Sequence, residues 1–164
     1  MRKKIRSAFS EYLANEVIDE IVNNPDRTGK PPQRAQICFI LLQVRDDAVE
    51  QTPAYIAQAI DIILQRGGTV CDVMSSTILA VFGFPIGEDP EKNRDQRSKS
   101  VARLVTGLGT NVRMVYGAAD GLVGNIGHPR RLHYGPLLPG FAHYLTALTA
   151  LEFGRAVETR RDPT

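Results

Sequence analysis

Long apolar runs are missing from this sequence. No stretch approaches the roughly 18 apolar residues that a membrane-spanning helix needs, so membrane insertion is not expected. The basic start, MRKKIRSAF, leads into no apolar core and does not read as a signal peptide. An excess of one charge is also missing. Lys and Arg number 20 against 18 Asp and Glu, a net of +2. A balance so near zero implies neither nucleic acid nor a membrane surface as partner. Cysteine occurs only twice, at Cys38 and Cys71, each inside an apolar run. Both read as buried free thiols, which suits a reducing cytosol and a cytoplasmic location. No further ligand follows at metal-site spacing, so neither a disulfide, a metal nor another cofactor is expected. Internal repeats and low-complexity segments are absent as well.

What is present has the length of one domain with a real core. Ile5, Phe9, Tyr12, Leu13, Val17, Ile18, Ile21 and Val22 recur at helical spacing, and Asn24-Pro25 ends that stripe. PDRTGKPPQ is a loop. AQICFILLQV (35–44) is a continuous apolar run of the length of a buried strand. Thr52-Pro53 reads as the cap and first residue of a helix that Gly67 closes. Strands follow at 69–74 and 77–83, then a polar connector and a helix near 95–107. NVRMVYGA (111–118) and GLVGNI (121–126) read as separate strands, RRLHYG as a further short one, and 141–154 as a helix. The order β-α-β-β-α-β predicts an α+β, ferredoxin-like core: a mostly antiparallel sheet with helices on one face, plus the N-terminal amphipathic helix.

One hairpin carries unexpected turn residues. In GGTVCDVMSSTILAVFGFP, two β-rich runs flank Ser75-Ser76. Two-residue hairpin turns favour Gly, Asn or Asp, which tolerate positive φ. Serine does not do so readily, which predicts a looser or shifted loop.

That stretch also carries a resemblance. FSEYLANEVIDEIVNNP, then GGTV with a hairpin and LAVFGFP, then VGNIGHPRRLHYG, stand in the order and near the spacing of a class III adenylate/guanylate cyclase catalytic domain. The resemblance runs from about residue 8 to 155. It implies the domain limits: an N-terminal helix at 1–24, a linker at 25–34, a cyclase-like domain at 35–155 and a frayed tail at 156–164.

The resemblance also implies what each site position has become. The family's hairpin turn is Gly-Asp with a metal-binding Asp; here Ser75 and Ser76 stand there. The first metal Asp, aligned on Phe39, falls at Leu41. The purine-selecting Lys falls at Asp72 and the second base-selecting residue at Pro139. The Asn and Arg of the closing helix fall at Ala142 and Thr146. Leucine offers no lone pair to a metal, serine binds Mg²⁺ weakly, and threonine lacks arginine's charged fork. Losing one transition-state donor of this kind typically costs about 10²–10³ in rate. The segment LQVRDDAVEQTPAYIAQAIDIILQR is also shorter than is common in the family.

Other candidates have plainer readings. Asp46, Asp47 and Glu50 form an acidic cluster that reads as a solvated loop near a helix N-terminus, where acids are favourable. If the register slips, Asp46 becomes a metal ligand. GHPRRLH has the chemistry to grip a phosphate or an acidic partner, and otherwise is a solvated turn. His128, His133 and His143 lack metal-ligand spacing. The glycines of VYGAADGLVGNIG precede no Lys-Ser/Thr, so they serve strand geometry rather than a phosphate loop.

From the resemblance, the expectation is a domain that is not an enzyme: a noncatalytic cyclase-homology module for dimerisation or protein interaction in signalling. The alternatives are an active cyclase with a rebuilt metal site, and a nucleotide sensor without turnover. A homodimer, or a heterodimer with a related cyclase, is the expected assembly. Phe9, Leu13, Ile21, Arg130, Arg131 and Tyr134 are its candidate interface.

Overall fold

Gln33–Val44 forms the long strand β1 at the middle of a six-stranded sheet. The computed structural model describes residues 33–83, 89–125 and 134–159. From Ile37 to Leu42 every side chain of β1 is buried, which is why this run shows no polar alternation. Cys38, Ile40, Leu42 and Val44 enter one core cluster; Ile37, Phe39 and Leu41 enter another on the opposite face.

Helix α1, Thr52–Gln65, buries Ala59, Ile62 and Ile63 against the first cluster. Its cap is Gln51 rather than Thr52, whose hydroxyl instead donates to Arg45 O at 2.9 Å and ties helix to loop. Gly67 at φ +75° closes the helix, with the Gly68 amide returning to Ile63 O at 3.0 Å. Strands β2, Thr69–Met74, and β3, Thr77–Phe82, follow. β2 bulges at Cys71, between the Val70↔Ala80 and Asp72↔Leu79 pairs. Helix α2, Pro90–Leu108, begins on Asp89, whose carboxylate accepts from the amides of Glu91 and Lys92. Its Val101, Leu104 and Leu108 share the first cluster with α1.

Strand β4, Val112–Asn125, is one strand of 14 residues, where the sequence reading placed two. Asp120-Gly121 makes no turn because β1 pairs with β4 along its whole length, from Gln33↔Val123 to Val44↔Val112. Gly121 is there for closeness: a Cβ would strike the Leu137 carbonyl oxygen and come within 2.7 Å of Ile37 Cδ1. β5, Tyr134–Leu137, pairs with the end of β4. The order β2-β3-β1-β4-β5 with β-α-β-β-α-β connectivity is the expected α+β core, its two helices on one face.

Helix α3, Phe141–Thr149, packs on the opposite face, where Tyr144 lies 4.7 Å from Phe39 between ring centroids. It is shorter than the 141–154 expected. The chain turns after it, and Gly154, at φ +94°, donates to Val112 O at 2.7 Å. Within the tail expected to fray from residue 156, Ala156–Glu158 forms β6, parallel to β4, and 160–164 lie outside the described residues. The amide of Thr159 adds a bond to Tyr116 O at 2.8 Å.

The two thiols lie on opposite faces, Cys38 in the first cluster and Cys71 against the second, so they do not meet. Burial pushes the pKa of both above the usual thiol range, for Cys71 with help from the neighbouring Asp72. Among the described residues no helix is long and apolar enough to cross a membrane. The expected helix 1–24 with Phe9, Leu13 and Ile21 lies outside the described residues, as do Arg130, Arg131, His128 and His133.

Candidate functional site: the hairpin, a polar line and an apolar hollow

Met74 pairs with Thr77, so Ser75-Ser76 is a tight two-residue turn. The looser loop expected from sequence is corrected. Ser75 takes φ +54° and is the only non-glycine among the described residues at positive φ, while Ser76 stays at negative φ. Positive φ at the first central residue alone is the type II′ pattern, which matches strand twist. Three bonds hold the strained turn. Ser76 Oγ donates to Asp46 Oδ2 at 2.8 Å and accepts from Gln43 Nε2 at 3.2 Å. Ser76 O accepts from the Val44 amide at 3.0 Å. The side chain of Ser76 is thereby buried and satisfied, at 2 % exposure.

The strand register decides which β1 residue adjoins this turn. Leu41 faces Leu79, three positions from Ser76, and is buried. Gln43 faces Thr77 on one side and Arg113 of β4 on the other. The β1 side chain that bonds Ser76 is Gln43, which the sequence reading did not single out. The available signal was the composition of β1, in which Gln43 is the one polar residue between Ile37 and Val44.

Arg113 completes the arrangement. Its Nε donates to Gln43 Oε1 at 2.9 Å, and Nη2 donates to the same oxygen. Its Nη1 donates to Leu151 O at 2.7 Å and Thr149 O at 3.2 Å, carbonyls at the end of α3. The guanidinium lies 4.6 Å from the centroid of Phe153, and Arg45 lies 4.8 Å from the same ring. A line of hydrogen bonds therefore runs Arg113, Gln43, Ser76, Asp46, with every donor pointing toward the carboxylate.

On the α3 face, next to this line, lies a hollow of about 40 Å³. Leu41, Leu79, Met74, Thr77, Phe141 and Leu145 line it, with Asp72 as the one charged group. The structure thus brings Leu41 and Asp72 together. Ala142 and Thr146 meet through a bond from Thr146 Oγ1 to Ala142 O at 3.0 Å, but both are exposed and outside the lining, as is Pro139. His143 is exposed on α3. In the acidic cluster Asp46 is held by Ser76, and Asp47 lies 3.7 Å from Arg45. Among the described residues no three His, Cys, Asp or Glu gather as a metal set.

No family model matches this sequence. No curated protein matches it either. Solved structures do. The adenylyl cyclase CyaB from P. aeruginosa superposes with a TM-score of 0.65 at 17 % identity, over 78 % of this chain and 79 % of that one. The guanylyl cyclase Cya2 matches at 0.56 and 18 %, over 78 % and 77 %. A bacterial light-regulated adenylyl cyclase matches at 0.67 and 16 %, over 94 % of this chain and 52 % of that one. The chain has the fold of a class III adenylyl/guanylyl cyclase catalytic domain. The expectation of a non-enzyme is corrected here. The structures that share this fold are adenylyl and guanylyl cyclases, which are enzymes, so the fold carries no exclusion of catalysis.

Proposed function

We propose that this chain is a cyclase-fold signalling domain whose working state is a pair, two copies or one copy with a related cyclase. The observation that supports this is the uneven covering of the sheet. Among the described residues two helices cover one face, and the other carries only α3, of nine residues with a single buried side chain. The hollow beside α3 is floored by Leu41 and Leu79 and rimmed by Met74, 66 % exposed, and Leu145, 38 % exposed. Burying side chains of this kind contributes about 1.5–3 kcal/mol each. Several together offset the cost of association. Sedimentation of the intact chain at rising micromolar concentration tests the reading. A dimer that Met74→Glu and Leu145→Glu convert to a folded monomer, with an unchanged far-ultraviolet circular dichroism spectrum, supports it. A wild-type monomer across the whole range sinks it.

A second reading rests on two carboxylates: a nucleotidyl cyclase with a rebuilt site. Asp46 sits at hydrogen-bond distance from the hairpin residue Ser76, and Asp72 opens onto apolar walls. A carboxylate is acceptor-only. In an apolar slot it complements the ring N–H and exocyclic amino group of guanine. Cyclic nucleotide formed from GTP with Mg²⁺ or Mn²⁺, and lost in Asp46→Asn, supports this reading. Absence of product above a no-enzyme control removes it, and product that Asp46→Asn leaves untouched removes Asp46 from the site.

A further inference from the structure

We propose that the line Arg113, Gln43, Ser76, Asp46 is a coupling device that ties the exposed Asp46 loop to helix α3, so that the hollow is set from a point outside it. The hollow has two walls on different elements: Met74 and Thr77 on the hairpin, Phe141 and Leu145 on α3. The α3 wall rests on the second cluster through Leu148, Phe141, Tyr144 and Ala147, while Met74 of the hairpin wall is largely exposed. A polar line joins the two walls as well. Arg113 holds the carbonyls of Thr149 and Leu151 at the end of α3 with one nitrogen, and Gln43 with two. The Gln43 amide N–H donates to Ser76 Oγ, and the Ser76 hydroxyl donates to Asp46.

The direction of the donors gives the line its cooperativity. A cation stands at one end and a carboxylate at the other, with two neutral groups polarised between them. Bonds in such a chain strengthen one another. Gln43 is half-buried and Ser76 fully buried, so water competes poorly for the middle links. Asp46 is exposed and lies outside the lining of the hollow. A change at Asp46 therefore reaches α3 through three side chains rather than by contact. A second path exists from the same loop, since Arg45 and Arg113 share the ring of Phe153. Gln43 lies on the first path alone and so separates the two.

The test is amide hydrogen exchange on the intact chain. Losing one net hydrogen bond is worth about a five-fold change in an opening equilibrium. Asp46→Ala is expected to speed exchange about five-fold at Ser76 and Thr77 and also at residues 146–151. In a Gln43→Met background the same substitution is expected to leave residues 146–151 unchanged, because the link to α3 is already cut. Gln43→Glu keeps the acceptor for Arg113 and loses the donor for Ser76. It is expected to loosen the hairpin and spare the end of α3. The proposal is overturned if Asp46→Ala alters only the hairpin. It is overturned equally if α3 responds to Asp46→Ala as strongly in the Gln43→Met background, which would place the coupling on Arg45 and Phe153.

Discussion

Arg97 Nη1 donates to Gly117 O at 2.7 Å, joining the middle of α2 to the middle of β4 through a buried guanidinium. Nη2 of the same side chain meets Glu158 of β6 at 3.5 Å, and the guanidinium lies 5.5 Å from the Tyr116 ring centroid. The two partners are unequal, because the Arg97 side chain is 6 % exposed and that of Glu158 is 60 % exposed. The ion pair is therefore well screened and contributes less than about 1 kcal/mol. Removing the arginine leaves a carbonyl without its donor and a void beside Tyr116. Arg97→Ala is expected to cost about 2–4 kcal/mol by urea unfolding, and Glu158→Gln less than about 1 kcal/mol. Equal losses in the two variants would show that the ion pair, not the buried bond, holds this corner.

Ser75 is the strained residue of the hairpin. Its φ of +54° suits glycine. Ser75→Gly is expected to raise stability by about 0.5–1 kcal/mol, the strain relieved exceeding the added freedom of the unfolded chain. Ser75→Val is expected to lower it. Thermal melts of the two variants should bracket the wild type.

Gly121 and Gly107 should answer alanine differently. A methyl at Gly121 meets the backbone of Leu137, which cannot step aside without breaking the β4–β5 pairing. Gly121→Ala is expected to cost about 1–3 kcal/mol. Gly107, in the last turns of α2, faces the flexible amide end of Gln58 at 3.1 Å and Ile62 Cδ1 at 3.4 Å. There the gain in helix propensity, up to about 1 kcal/mol, sets the sign, and Gly107→Ala is expected to be neutral or stabilising. Paired denaturant curves check both.

The thiols give a pH prediction. Cys38 and Cys71 have folded-state pKa values raised by burial. A raised acid pKa means the folded state holds its proton longer than the unfolded chain does. The contribution is fully present below the unfolded thiol pKa, about 8.5, and is lost as pH rises above it. Stability should fall above about pH 9, and more steeply than in a Cys38→Ala, Cys71→Ala variant. Superimposable pH profiles would remove the thiols as a cause.

The order of elements was legible because periodicity carries it. β1 reads as a strand from its apolar run, and α1 from the Thr52-Pro53 start and the Gly67 stop. Turns were less legible, since one residue type serves two purposes. Asp120-Gly121 looks like a turn but is straight strand, its glycine admitting the Leu137 backbone. Ser75-Ser76 looks wrong for a tight turn but forms one, because bonds to Asp46, Gln43 and Val44 from distant sequence hold it. The candidate site suffered most. Spacing from Phe39 drew attention to Leu41, which lines the hollow, but gave no hint that Gln43 bonds Ser76. Arg113 carried no local signal, because its role depends on lying across from Gln43 and near the end of α3.

The bulge at Cys71 has a consequence for solubility. Among the described residues β2 is the outer strand of its edge, and its exposed Val73 and Met74 are the kind of surface on which a foreign strand could continue the sheet. The bulge interrupts the regular spacing of outward amides and carbonyls after two residues, and Asp72 adds a charge at the break. A strand laid along β2 would lose register there before its bonds became cooperative. Fibre growth from this edge is discouraged by one extra residue, and deleting Cys71 would straighten the strand and expose it.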